Sequence, residues 1–387
     1  MYKKIILFMQ LLLFIFILSA CQQGFPLSKN KFRVDTCISL NNSSFEELQF
    51  PGVVWYKEDT YAYLEHKGEP GLHWVDGQRK HGTLFPNPIV IESISPDGRS
   101  AIFMGDDNAI YLLEGMTVRQ ISSPRDWLGN NLILTEDGKI LGTDWDFHEH
   151  RISVIVTDIN TGIATRYDHL DGGMSSEPMA KVGRNGLLAY LWYSNFEGPR
   201  LVVYDIWNER EIAQYKDITY QVRPSWYGFL LNPEGTRILS ISTPRDEGYD
   251  GKQQELFEVE IGKAPVQVTD FHSRYPYFLI YDLNFGGQRW SPDNRWVVIT
   301  AIPSESRGIN AITAAQYLYL IDLERRVAYP FCEPLDGPES VAWSPDSRFF
   351  ALSIKDKLWV VDPKSRESRL LLERPGISLR ALGWTIP

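Results

Sequence analysis

The densest group of side chains able to do chemistry is the run Asp144, Trp145, Asp146, Phe147, His148, Glu149, His150. In an extended segment alternate residues point the same way. Asp144, Asp146, His148 and His150 could therefore share a side, and imidazole with carboxylate suits zinc or a similar cation. Neighbours two apart in a strand lie about 7 Å from each other, so four of them converge on one ion only at a sharp bend. The competing reading is a solvated loop, and no resident metal is expected. Other reaction chemistry is as thinly represented. A serine hydrolase of the α/β type needs a Gly-x-Ser-x-Gly elbow, and none occurs. There is no glycine-rich phosphate loop and no His-Glu-x-x-His. Asp158, Asp205, Asp322 and Asp362 end apolar runs just before turn residues, where a carboxylate caps backbone amides. A glycosidase needs two carboxylates facing each other across a cleft, an arrangement that spacing alone does not reveal. No cofactor is expected.

Aromatic and arginine side chains are more telling. Six long connections occur, at 144–150, 169–176, 193–199, 243–252, 270–283 and 303–313, and the first five hold Trp145, His148, His169, Tyr193, Phe196, Arg245, Tyr249, His272, Arg274, Tyr275 and Tyr277. Aromatics and arginine carry most of the energy at binding interfaces, and long connections in compact domains tend to be functional. The competing reading is that these loops only fill the mouth of a channel. Of this set, Trp145, His148, Tyr193, Arg245, Tyr249, His272, Arg274, Tyr275 and Tyr277 are the binding-face candidates.

The elements that must position these loops are set by a repeated phrase. Ser-Pro-Asp-x-Arg occurs at 95–99, 291–295 and 344–348, the last two preceded by Trp290 and Trp343. Looser copies are Asn232-Pro233-Glu234-Gly235, Thr135-Glu136-Asp137-Gly138 and Gly183-Arg184-Asn185-Gly186. Each is tight-turn chemistry between apolar runs. Downstream of the copy at 291, residues 295–301 (RWVVITA), 315–322 (AQYLYLID) and 327–331 read as strands, with 286–290 as the strand before the turn. No sustained 3.6-residue apolar period follows the first twenty residues, so long helices are not expected. Four-stranded meanders repeated along a chain bury their faces by stacking around an axis, as a β-propeller.

The phrase Trp-Ser-Pro-Asp-x-Arg, followed by an apolar strand and then a strand ending in Asp, resembles the WD40-like repeat of TolB-type propellers. The resemblance runs from about residue 45 to the end. It is strongest in the fifth and sixth units, good in the first and weak in the second to fourth. It implies a propeller and a binding role; it does not imply a catalytic residue.

Six turn phrases make six blades. A seventh is expected from 379–384 (LRALGW) joined to 53–56, 61–64 and 72–75, which shuts the ring by pairing the end of the chain with its beginning. Eight and six blades are the alternatives. About 340 residues over seven blades is roughly 49 each, within the usual propeller repeat. In a four-stranded meander the links between strands one and two and between three and four share one face. Links between strands two and three, and between blades, share the other. The short links of this chain fall on the first face and the long ones on the second.

Ahead of the propeller, Lys3 and Lys4, the apolar stretch 5–18 and the small residues before Cys21 are the parts of an export signal. Fourteen residues are short for a spanning helix. Leu18-Ser19-Ala20-Cys21 resembles a bacterial lipobox, which implies cleavage before Cys21 and acylation of that residue, palmitate included. An ordinary signal peptide with a cysteine at the junction is the alternative. The expected organisation is a lipoprotein signal peptide at 1–20, a lipidated Cys21 on a flexible tether over 21–44, and the propeller at 45–387. The address is the cell membrane or an outer membrane, facing the periplasm or exterior. Removing residues 1–20 takes the formal charge from −10 to −12, since it removes two lysines and no acid. Such a surface repels phosphate backbones, so no nucleic-acid partner is expected. Cys37 and Cys332 remain, in a compartment where a disulfide persists; a bridge between them and two separate thiols are both open. The function read from these features is a binding scaffold for a protein, peptide or glycan. The alternative is a hydrolase or lyase with its site in the axial funnel.

Overall fold

The structure, a computed structural model, describes residues 32–40, 50–59, 68–85, 88–122, 130–146, 148, 151–171, 180–192, 200–216, 229–242, 254–282, 288–304, 315–335 and 339–386. It is a seven-bladed, all-β propeller in which each blade is an antiparallel four-stranded meander. Blade 1 comprises Pro88–Ile94, Ser100–Gly105, Ile110–Glu114 and Thr117–Gln120. Blade 2 comprises Asn130–Leu134, Lys139–Asp146, Arg151–Asp158 and Ala164–Asp171, and blade 3 Ala180–Val182, Leu187–Trp192, Arg200–Asp205 and Arg210–Tyr215. Blade 4 is Phe229–Leu231, Arg237–Ser242, Glu255–Glu260 and Val266–Gln267; blade 5 is Tyr277–Asp282, Trp296–Ser304, Tyr317–Asp322 and Val327–Pro330. Blade 6 is Glu339–Trp343, Phe350–Ile354, Lys357–Val361 and Ser368–Glu373. Blade 7 joins Leu379–Thr385 to Val53–Glu58, Leu72–Asp76 and His81–Leu84. No helix among the described residues is long and apolar enough to cross a membrane.

The core is divided as the alternation of the strands requires. In the second strand of blade 5, Val297, Ile299 and Ala301 pack with blade 4, whereas Trp296 and Val298 pack with blade 6. Every blade is apolar on both faces for this reason, and burying one such side chain is worth roughly 1.5–3 kcal/mol. Seven apolar clusters result, one at each junction between successive blades. The junctions of blade 7 with blades 6 and 1 are built like the rest, so the ring is continuous.

The repeated turn phrase has one hydrogen-bond pattern. In blade 6, Ser344 Oγ donates to Asp346 Oδ1 (2.7 Å) and accepts from Phe349 N (3.0 Å), while Arg348 N donates to the same Asp346 oxygen (3.1 Å). Ser95 with Asp97, Ser291 with Asp293 and Thr135 with Asp137 repeat it. The residue after the Asp takes positive φ: Gly98 (72°), Gly138 (75°), Asn294 (61°) and Ser347 (58°). Small or Asx-type residues recur there because others resist that region.

Closure pairs Val53 with Thr385 and Glu58 with Leu379, and Trp55 Nε1 donates to Thr385 Oγ1 (2.8 Å). Three boundaries differ from the sequence reading. The fourth strand of blade 7 is His81–Leu84, and the expected strand 61–64 lies outside the described residues. The connection expected over 270–283 contains the inner strand of blade 5, Tyr277–Asp282, whose pairing resumes only at Trp290 opposite Val297. The turn phrase marked Trp290 but gave no sign of the earlier half of that strand. Finally, part of the span read as a tether is ordered. Arg33–Val34 adds a fifth, parallel strand outside Val327–Pro330, and Ile38 pairs with Phe331. Phe32 and Val34 pack at the junction of blades 4 and 5, Ile38 at that of blades 5 and 6. A disulfide joins Cys37 to Cys332.

Candidate functional site

The ends of the strands fix where side chains collect. Links two-to-three and blade-to-blade leave from one face, and the link from blade 4 to blade 5 is one of these. After Val266–Gln267 the chain forms a 3-10 turn, Phe271–Ser273, and then enters Tyr277–Asp282. Glu255, fully buried at the start of the third strand of blade 4, holds that turn. Its Oε2 accepts from Thr269 Oγ1 (2.6 Å) and Phe271 N (3.0 Å), and its Oε1 accepts from His272 N (2.9 Å). Thus anchored, Phe271 stacks on Phe278 with ring centroids 3.8 Å apart and meets Tyr319 and Phe32 edge-on.

Beside this aromatic stack is a cavity of about 330 Å³ lined by Tyr275, Tyr317, Tyr319, Phe331, Pro303, Pro330 and the Cys37–Cys332 disulfide. Tyr275, Pro303, Tyr317, Pro330 and Phe331 stand at or beside strand ends on the long-link face, and Tyr319 lies two residues further into its strand. Its size lies at the lower end of the range for small-molecule sites. Burial first, and then a hydrogen bond with Tyr275, push the Tyr319 phenol well above its ordinary value of 10, so it stays protonated near neutrality. Arg274 lies 5.7 Å over the Tyr275 ring and donates to Val34 O (3.2 Å), tying the N-terminal strand to the rim. Among the described residues, the lining offers ring faces and hydroxyls and no charged group. These walls suit a ring or an apolar side chain with a hydrogen-bonding edge.

Of the binding-face candidates, His272, Arg274 and Tyr275 come together on this one link, and Tyr275 lines the cavity. Tyr277 is 4% exposed and belongs to the inner strand, where it pairs with Ser304. Trp145 and His148 are on blade 2, with blade 3 between them and this link. Trp145 packs into the junction of blades 2 and 3, and His148 is an exposed turn residue whose N–H is capped by Asp146 (2.9 Å). Tyr193, Arg245 and Tyr249 lie outside the described residues, as does His150. Asp144 is paired with Arg166 (2.9 Å) and Asp146 accepts from the His148 N–H (2.9 Å), so these two acids of the 144–150 run have partners within their own blade. Tyr317, Tyr319, Pro303, Pro330 and Phe331 were missed as site residues. The available signal was Tyr317 and Tyr319 two apart in a strand, hence on one side of it.

Among the described residues, Glu255, Asp270 and His272 form the group of ligand atoms close enough to share an ion, all within 4.8 Å of one another. His272 Nδ1 is 2.8 Å from Asp270 Oδ1 and 3.4 Å from Glu255 Oε1. Glu255 is already saturated by the amides of the 3-10 turn, so the group needs no ion to hold its shape. Asp158, Asp205, Asp322 and Asp362 each accept backbone N–H bonds from the turn that follows.

Near the axis, Arg289 (2% exposed) bonds Glu339 Oε1 (2.8 Å) and Thr300 Oγ1 (3.0 Å), which neutralises that carboxylate. On the short-link face, Arg184 donates to Ile94 O (2.6 Å), Leu134 O (3.0 Å) and Glu234 (2.7 Å), bridging blades 1 to 4.

No protein-family model and no curated protein matches the chain. Solved structures do. Prolyl oligopeptidase B from Galerina marginata, bound to a 35mer hydrolysis and macrocyclization substrate, is 11% identical with a TM-score of 0.52; the match covers 93% of this chain and 61% of that one. A Lactobacillus plantarum protein is 12% identical (TM-score 0.49; 86% of this chain, 99% of that one). TolB from Acinetobacter baumannii is 13% identical (TM-score 0.43; 94% and 98%). At such identities a likeness speaks to the fold alone, and the fold is the one read from the sheets: a β-propeller of seven blades.

Proposed function

We propose that this chain is an exported, lipid-anchored binding module that engages a protein, peptide or glycan through its long-link face. The observation that carries the reading is the aromatic cavity built from Tyr275, Tyr317, Tyr319 and Phe331. Its walls match a recognition pocket in size and chemistry. Anchoring rests on the lipobox-like Leu18-Ser19-Ala20-Cys21, with acylated Cys21 at the membrane and the propeller outside the cytoplasm. The funnel hydrolase or lyase is the second reading. Against it stand the pairing of Glu339 with Arg289 and the capping role of Glu255, which leave neither carboxylate placed for acid–base work.

The test has two arms. The N-terminal peptide of membrane-extracted protein is analysed by mass spectrometry, where an unmodified Cys21 refutes the anchor. Binding to immobilised peptides and oligosaccharides is then compared between the native chain and Tyr275→Ala and Tyr317→Ala variants. Loss of about ten- to thirtyfold in affinity is expected for a pocket-filling anchor. Unchanged binding by both variants removes the cavity from the account.

A further inference from the structure

The short-link face carries a feature that the binding module just described does not use. Among the described residues of blades 1 to 3, four large apolar side chains are exposed: Met116 (45%), Ile163 (67%), Trp207 (44%) and Ile212 (39%). Met116, Ile163 and Trp207 lie in the corresponding hairpin of three successive blades, between strands three and four, and Ile212 follows on the outer strand of blade 3. Single exposed apolar residues need no explanation, whereas a row of them marks a contact surface.

Trp207 is held still although it is exposed. Its Nε1 donates to Asn185 O (3.0 Å), its backbone N–H is capped by Asp205 (3.0 Å), and its ring meets Tyr167 of blade 2 edge-on at 5.7 Å. It also rests on Gly186, where a Cβ would overlap the indole. A tryptophan fixed in one orientation loses little freedom on binding, which is the property of an interface anchor.

The charge around the row is negative. Lys139 is paired with Asp137, Arg166 with Asp144 and Asp168, and Arg184 with Glu234. Glu114, Glu136, Asp158, Glu209 and Glu211 then stand against Arg119 and Arg210. Hydrogen bonds from the Thr161 and Asn160 amides hold the Asp158 carboxyl below its ordinary range, so it is charged.

We infer that the hairpin rim of blades 1 to 3 is a docking surface for a basic, apolar segment of a protein partner, with Trp207 as its anchor. Charge complementarity selects that partner over an anionic lipid surface or a second copy of this acidic chain. The surface is separate from the aromatic cavity, so the propeller bridges two ligands.

The test is photocrosslinking of the full chain in its host, with p-benzoylphenylalanine at Ile212 and, as a control on the same face, at Lys364 of blade 6. The expected result is an adduct from position 212 whose captured peptide is net positive, with little from 364. Trp207→Ala should reduce it about thirtyfold, and the double reversal Glu209→Lys, Glu211→Lys about tenfold. Ile163→Ser, at a turn position that is 67% exposed, removes apolar surface without changing charge, should reduce it as well and guards against a folding artefact with Trp207→Ala. Absence of an adduct, equal yield from 364, or capture of an acidic peptide, a lipid or another copy of this chain would each overturn the inference.

Discussion

Two glycines in turns on the short-link face allow the packing of Trp207 to be weighed. Gly162 (φ 69°) and Gly186 (φ 79°) both sit in the left-handed region, in turns of adjacent blades. An added Cβ meets nothing within 4 Å at Gly162, whereas at Gly186 it lands on the Trp207 indole. Gly→Ala at either site forces an L side chain into left-handed backbone, at about 1–2 kcal/mol. The alanine also restricts the unfolded chain, returning roughly 0.4–1 kcal/mol. Gly162→Ala should therefore cost about 1 kcal/mol net. Gly186→Ala adds displacement of the indole. The Nε1 hydrogen bond to Asn185 O is worth about 1 kcal/mol, and the edge-on contact with Tyr167 about 0.5–1.5 kcal/mol. The expected total is about 3 kcal/mol, a difference of about 2 kcal/mol between two chemically identical substitutions. Urea unfolding of both variants reads this as unequal midpoints at unchanged slope. In the folded state, Gly186→Ala should also red-shift the tryptophan emission, as one indole moves into water. Equal midpoints would refute the reasoning, since backbone strain alone would then account for both variants.

Two further perturbations test other parts of the structure. Replacing Cys37 by Ser removes the bond that holds residues 32–40 across blade 5 and closes the cavity floor; a stability loss of about 2–4 kcal/mol is expected. Limited proteolysis should then cleave within 32–40, a cut that the native chain resists until reductant is added, and an unchanged digestion pattern would show the strand to be held without the bond. The second concerns pH. Burial holds the Glu92 carboxyl above its ordinary 4.5, against the Leu132 amide hydrogen bond and Lys181, which lower it. Its folded pKa is raised, so the native state binds the proton more tightly than the unfolded chain. Its contribution to stability is therefore full below 4.5 and diminishes as pH rises through the folded value. Glu92→Gln should gain on the native chain as pH climbs from 4.5 towards neutrality, measured by urea midpoints; a gap independent of pH would contradict the assignment.

How much of the site could be read in advance varied residue by residue. Tyr275 and Arg274 stood out because they interrupt a turn-rich link with large side chains. Tyr317 and Tyr319 passed as ordinary strand residues, although their spacing already put them on one side. Their role needed Tyr275 to be delivered from the preceding blade and Cys37 from nearly 300 residues upstream in sequence. Trp207 carried no sign at all beyond its type. Its fixed ring depends on Gly186 and Tyr167, which come from another hairpin and another blade. The 144–150 run, which looked richest in chemistry, links the two central strands of blade 2, and its Asp144 and Asp146 are held by neighbouring amides and by Arg166.

Alternating apolar residues and a recurrent Ser-Pro-Asp turn determine blades, their meander and their number, because both are local: a strand shows its two buried faces by residue type, and a turn shows its positive φ by Gly, Asn or Ser. The joining of Leu379–Thr385 to Val53–Glu58 was legible for a related reason, since an incomplete blade at each end leaves unmatched strands. What sits at the cavity, which cations are already paired and which tryptophan is held rigid were decided by tertiary structure alone. Those properties belong to groups brought together by the closing of the ring, and no residue carries them by itself.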